Sequence, residues 1–191
     1  MSNWRERLTT RLEPLLSLED PRQAISAYHD MPYAIFRYPP EAEFELRREL
    51  SLLRTRLEQR GKRVATVSLA DCLQTACEAE SSLTDLIDAE KTVGLAQAVE
   101  TVHSILSHYR RLDDLVVSRL PQDPDPRRDI VFLVRAGALF PMYRTSSLLE
   151  QLKGRVTVPG ILFFPGELDG AAGLRFMSVL NAEHNYRPMI F

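Results

Sequence analysis

Cysteine is nearly absent from this 191-residue chain. It has only Cys72 and Cys77, so no disulfide framework of the kind that staples small secreted domains can exist. Five residues apart in a helix-like segment, the two thiols do not share a face well, and both read as reduced core residues. No apolar run approaches the roughly 20 residues of a membrane span. Met1-Ser2-Asn3-Trp4-Arg5-Glu6-Arg7 lacks the apolar centre of a signal peptide, so a cytoplasmic protein without a membrane role is expected. An excess of one charge is also missing. With 24 basic and 26 acidic side chains, the net charge is −2. That balance argues against a dedicated nucleic-acid binder. Direct nucleic-acid contact, through Arg5, Arg7, Arg11, Arg47, Arg48, Arg54 and Arg56, stays a secondary alternative.

What is present is an ordinary globular composition, 45% hydrophobic and 26% charged. A chain of this length buries about 70% of its unfolded surface and needs no metal for stability. One domain over residues 1–191 is expected, with a helical N-terminal segment at 1–30 and a helical insert at 70–120.

Trp4, Leu8, Leu12, Leu15 and Leu16 recur at helical spacing, and Pro14 is expected to kink or end that helix. Asp20-Pro21 reads as the start of a second, short helix. Tyr33–Tyr38, aromatic and β-branched between prolines, reads as a strand. Leu46, Leu50, Leu53 and Leu57 mark one face of an amphipathic helix, stopped by Gly61, and Val64–Leu69 is a second strand. Residues 70–120 carry a helix-period stripe with drift, from Leu83 and Ile87 through Val93 and Leu95 to Val116. Breaks are expected near Glu78–Ser82 or at Gly94, and three prolines in Pro121–Pro126 close the segment.

Ile130–Val134 is a continuous apolar strand of the kind buried in a parallel sheet. A helix follows through Leu148, Leu149 and Leu152, with Thr145 or Ser146 available as its cap. A strand at Ile161–Phe164 comes next. Leu174–Leu180 reads as a further strand, and Tyr186–Phe191 as an extended tail or edge strand. Alternating strands and helices point to an α/β fold, Rossmann-like or degenerate P-loop-like. The sheet is mostly parallel, with right-handed crossovers, a helical N-terminus and a long helical insert.

In such folds ligands bind at the carboxyl ends of the strands. The first of these turns reads Pro39-Pro40-Glu41-Ala42-Glu43. Two prolines remove backbone donors and two carboxylates repel an anion, so this is not the glycine-rich, lysine-bearing loop that a triphosphate needs. The turn at residues 135–146 has one glycine and no lysine, but it carries Arg135 and Arg144 beside a helix start, which attracts anions. A nucleotide- or phosphate-binding regulator using those two arginines is therefore an alternative function.

Glu100, His103 and His108 lack the zincin spacing and read as a helix face. No G-x-S-x-G elbow exists, Ser146 and Ser147 read as caps, and Glu167 and Asp169 as turn residues. No catalytic, metal-binding or cofactor residue is assigned, and no cofactor is expected. Phe140, Met142, Tyr143, Arg144, Tyr186 and Arg187 have instead the aromatic and arginine character of interface residues, and are the candidate partner-binding set.

The C-terminal third carries a resemblance. The motifs are Val131–Pro141, then Arg144-Thr145 before Leu148-Leu149, then Val158-Pro159 and Leu162–Gly166, and finally Asn185-Tyr186-Arg187. Together they resemble the BrxB family of BREX bacteriophage-exclusion systems. Over residues 129–191 the likeness lies in order and spacing; over residues 1–128 it is one of length and layout. The resemblance implies a non-enzymatic accessory or adaptor subunit of an anti-phage defence complex. Its expected partner is a PglZ-type protein of the alkaline-phosphatase superfamily, with a BrxC-type ATPase or a PglX-type methyltransferase as further candidates. It supplies no catalytic residues to carry over.

Overall fold

In the computed structural model, which describes residues 3–25, 32–80, 83–170, 173–183 and 188–191, the strands alternate their side chains between two cores. Ala34, Phe36, Ile130, Phe132, Ile161 and Phe163 point to one face of the sheet. Ile35, Val131, Leu133, Leu162 and Phe164 point to the other. A strand with apolar residues at every position is one that helices cover on both sides. Each fully buried leucine or phenylalanine contributes about 1.5–3 kcal/mol over leaving it in water.

The strands are β1 (Tyr33–Tyr38), β2 (Arg63–Ser68), β3 (Asp129–Val134), β4 (Gly160–Asp169), β5 (Gly173–Phe176) and β6 (Met189–Ile190). They run in the order β2-β3-β4-β1-β6, with β5 attached to the far end of β4. The β2–β3, β3–β4, β4–β1 and β1–β6 pairings are parallel; β4–β5 is antiparallel, as is the isolated bridge from Leu174 to Glu183. The mostly parallel α/β sheet expected from the sequence is therefore what forms. β2 begins and ends one residue earlier than its apolar run suggests. β4 is much longer than Ile161–Phe164, because its second half leaves the parallel sheet to pair with β5. That hairpin strand ends at Phe176, because Met177 and Ser178 take left-handed backbone angles that end a strand.

From β1 the chain crosses to the far edge through α4 (Glu43–Gln59), which buries Leu46, Leu50, Leu53 and Leu57. It then steps back strand by strand through helices on the opposite face. Those are α5 (Leu69–Glu80), α6 (Leu83–Val93), α7 (Leu95–Ser104), α8 (Leu112–Val117) and α9 (Thr145–Gln151). The helical run is interrupted between α6 and α7 at Gly94, whose φ of 88° suits glycine alone. The N-terminal segment lies on the α4 face. It consists of α1 (Trp4–Arg7), a π-helical turn at Leu8–Leu12, α2 (Glu13–Leu16) and, after Asp20 accepts the Arg22 N–H, α3 (Arg22–Ile25).

Pro14 neither ends nor interrupts that first helical run. The π-turn lets Glu13 N–H reach the Leu8 carbonyl, and the proline, which lacks a donor, falls in the first turn of α2, where none is needed.

Candidate functional site

The carboxyl end of the sheet, where a ligand would be expected, is built largely of the chain's own side chains. After Tyr38 comes Pro39, then a 3₁₀ turn over Pro40–Ala42 that leads into α4. The Tyr38 hydroxyl donates to Glu43, whose other oxygen accepts from Arg47 at 2.8 Å. Burial, and then Glu43, push the phenol's pKa upward. The turn after β3 opens with Arg135 in the left-handed region, continues as a 3₁₀ turn over Ala136–Leu139, and passes the cis Phe140–Pro141 bond.

The β4–β5 hairpin folds over this turn. Phe176 stacks edge-on to Phe140 at 5.8 Å and lies 5.3 Å from Phe164. A β-carbon on Gly137 would sit 3.3 Å from Met177 Sδ and 3.5 Å from Pro165 Cγ. The single glycine of the turn thus permits close packing of the hairpin.

Arg135 and Arg144 are not brought together. Arg135 pairs with Asp71 at 2.8 Å and reaches Ser68 Oγ at 3.4 Å. With Arg47 and Arg54 it rims a groove of about 280 Å³, walled by Leu50, Ser51, Thr66, Phe132 and Val134. Arg144, 70% exposed, pairs with Glu183 at 3.3 Å. It lines a different groove, of about 380 Å³, with Ala96, Val99, Glu100, His103, Pro141, Met142 and Ser147. Two arginines on separate grooves do not make one anion cradle.

Of the expected interface residues, Arg144 stands in solvent and Met142 is half-buried on the wall of its groove. Phe140 is half-buried under the hairpin. Tyr143 is buried, donates to Gln151 Oε1 at 2.8 Å and packs 5.8 Å from the His103 ring. Burial raises its pKa. Tyr143, although almost wholly buried, thus forms part of the groove's lining. Tyr186 and Arg187 lie outside the described residues, as do His184 and Asn185.

His103 Nδ1 lies 2.9 Å from the Met142 carbonyl. That contact ties α7 to the 141–147 turn. His108, in the π-helical turn Ile105–Tyr109, is exposed. No group of three His, Cys, Asp or Glu is placed to hold a metal among the described residues. Both thiols are buried and free, and burial pushes Cys72 up to about 11. Glu167 and Asp169 are not turn residues: both lie in the second half of β4, paired with β5, and Asp169 also meets Arg175 at 3.1 Å. Several arginines of the nucleic-acid alternative already meet carboxylates: Arg5 with Glu45, Arg47 with Glu43, Arg54 with Glu58 and Arg56 with Glu13.

α6 and α7 form a surface that the sequence alone does not reveal. Ile87, Val93 and Leu95 are 46%, 56% and 63% exposed, and of the described α6 side chains only Leu86 packs against the core, and only in part. These residues look like part of one core stripe. The signal was the drift of that stripe, which holds more apolar positions than one helix face can bury. Only Gly94 separates the two helices, and α7 leads directly into the groove beside Met142 and Arg144.

A family model described as "BREX protein BrxB" matches residues 65–190. A protein of Bacillus cereus (strain H3081.97) named BREX protein BrxB is 28% identical over 144 residues, 74% of each chain. No solved structure matches. No helix among the described residues is long and apolar enough to cross a membrane.

Proposed function

The chain belongs to the BrxB family of BREX anti-phage defence systems, and from that membership we propose that it is a non-enzymatic adaptor that docks a larger BREX component, the PglZ-type protein foremost. The observation that carries this reading is the α6–α7 pair. It holds Ile87, Val93 and Leu95 out in solvent, next to a groove walled by Val99, Pro141, Met142 and Arg144. Apolar side chains exposed together beside an arginine are what a protein interface uses. The carboxyl end of the sheet supports the same reading. Its first turn carries prolines where an anion cradle needs donors, and its β3 turn lies under Phe176 and Met177.

The tagged full-length chain, expressed with the complete BREX system, should retain the PglZ-type protein through a pull-down. Val93→Asp and Leu95→Asp together should abolish that retention without lowering the melting temperature, since both side chains are already in water. Arg144→Ala should weaken it. Retention of no BREX component, or unchanged retention by the double variant, would reject the reading. So would nucleotide binding, measured by calorimetry on the isolated chain, that disappears in Arg144→Ala.

A further inference from the structure

On the other side of the molecule lies a second surface, formed where the open edge of the sheet meets the arginine-rimmed groove. β2 is the outermost strand, and among the described residues it pairs only with β3. Arg63 N–H donates to the Arg128 carbonyl at 2.7 Å. Because a parallel strand turns its main-chain groups to alternate sides, Arg63, Ala65 and Val67 bond inward. Val64 and Thr66 direct their N–H and C=O groups to the open side, and Ser68 its N–H; the Ser68 carbonyl belongs to the start of α5, where Ser68 Oγ accepts the Asp71 N–H. Such a row is a template for another strand.

Thr66 is the one β2 residue in the wall of the groove that Arg47, Arg54 and Arg135 rim. Its side chain is small and exposed, so it leaves the way from edge to groove open. The walls between the guanidinium groups are apolar: Leu50, Phe132 and Val134.

We infer that the β2 edge and this groove receive an extended acidic segment of another protein. The segment adds as a strand to Val64, Thr66 and Ser68, and its carboxylates reach Arg47, Arg54 and Arg135. Two independent features select that chemistry. The free main-chain row asks for a peptide, and the three guanidinium groups ask for carboxylates spaced by apolar side chains.

The arginines are available for exchange. Arg47–Glu43 and Arg54–Glu58 are pairs four residues apart on one helix, worth only about 0.2–0.5 kcal/mol each, and Arg135–Asp71 is exposed on both sides. Arg63 takes no part, because it is committed to the buried Asp129 at 2.6 Å. The groove is separate from the one beside α7, so this surface can serve a different partner segment from the one that docks on α6–α7.

The test uses the full chain and a fluorescein-labelled decapeptide alternating glutamate and valine, read by anisotropy and by hydrogen exchange. Binding is expected to slow exchange at the Val64, Thr66 and Ser68 amides. Arg54→Glu should weaken it about tenfold, the scale of one lost charge-assisted hydrogen bond. Thr66→Pro, which removes an outward N–H and no ladder bond, should weaken it as well, and Arg144→Glu on the other groove should leave it unchanged. Circular dichroism of each variant separates lost binding from lost folding, and Arg54→Glu, on an exposed helix position, carries the test if the proline variant unfolds. Four results would overturn the inference: no binding of the peptide; equal binding of a lysine–valine decapeptide; binding without protection of the three amides; or preferential capture of duplex DNA through the same arginines. A concentration-dependent dimer abolished by Thr66→Pro would assign the edge to a second copy of the chain and also overturn it.

Discussion

The least comfortable side chain in the molecule is Arg7. It is buried against the Phe36 ring, with its guanidinium carbon 5.5 Å from the ring centre. Its Nη2 donates to the Arg37 carbonyl at 3.0 Å, while Nε and Nη1 find no hydrogen-bond partner among the described residues. Burial lowers its pKa to about 10, and the charges of Arg37 and Arg11 add to the effect. A buried charge with unused donors costs stability that an apolar side chain of similar length would recover. Arg7→Met should therefore raise stability by about 1 kcal/mol, or some 2–4 °C in melting temperature. A fall in melting temperature of several degrees would show that the guanidinium is needed where it is.

Cys72 makes the opposite kind of prediction, one that depends on pH. Burial favours the neutral thiol and moves its pKa from 9.0 up to about 11. Between those values the folded chain keeps a proton that the unfolded chain releases, so stability is whole below pH 9 and falls as pH rises toward 11. The loss approaches about 2 kcal/mol. Urea midpoints at pH 8 and pH 10.5 should show it, and Cys72→Ala should shrink the difference, leaving the share of Cys77, whose pKa burial also raises. An equal slope in both proteins would refute the assignment to this thiol.

Among the elements, the β4–β5 hairpin depends most on one residue. A β-carbon at Gly166 would lie 2.2 Å from the Arg175 carbonyl oxygen and 2.6 Å from Phe164 Cε1, a distance no rotamer change can relieve. Gly166→Ala must therefore pry the hairpin open and lift Phe176 from Phe140 and Phe164. The cost is about 3 kcal/mol, visible as a lower melting temperature with faster exchange at Leu174 and Phe176. A variant that melts like the wild type would mean the hairpin is not anchored there.

The hairpin also marks where the sequence stops being legible. β1, β3, the first half of β4 and the α4 stripe are readable because burial on both faces leaves an unbroken apolar run, and burial on one face leaves a 3.6-residue period. Phe164–Gly166 looks like a strand end because proline and glycine usually punctuate there, yet here the glycine allows two backbones to meet. Likewise Arg135 and Arg144, nine residues apart in one turn, look like a pair. The 3₁₀ turn and Pro141 between them send their side chains to separate grooves. The exposed α6–α7 pair reads as core, since apolar residues at helical spacing do not say whether anything covers them.

At the scale of the whole molecule, the family match begins at residue 65, inside β2, but the fold does not divide there. The residues before it supply β1, which lies between β4 and β6, and the whole helical layer of one face. They are also tied in by buried polar contacts. Glu13, buried, accepts from Arg56 at 2.8–3.0 Å. Lys62, also buried, donates to the Leu18 and Arg127 carbonyls, so it joins the N-terminal segment to the start of β3. Removing residues 1–64 would strip β4 of a six-residue parallel neighbour and expose Phe132 and Phe163 to water. A fragment of residues 65–191 should accordingly fail to show a cooperative melt. In the full chain the single tryptophan, Trp4, is 7% exposed in the first helix, so its fluorescence reports directly on that segment. If the N-terminal helices and the sheet are one cooperative unit, the Trp4 transition in urea coincides with the far-ultraviolet circular dichroism transition. An earlier Trp4 transition, or a cooperative melt from the fragment, would show that the N-terminal layer is a detachable appendage.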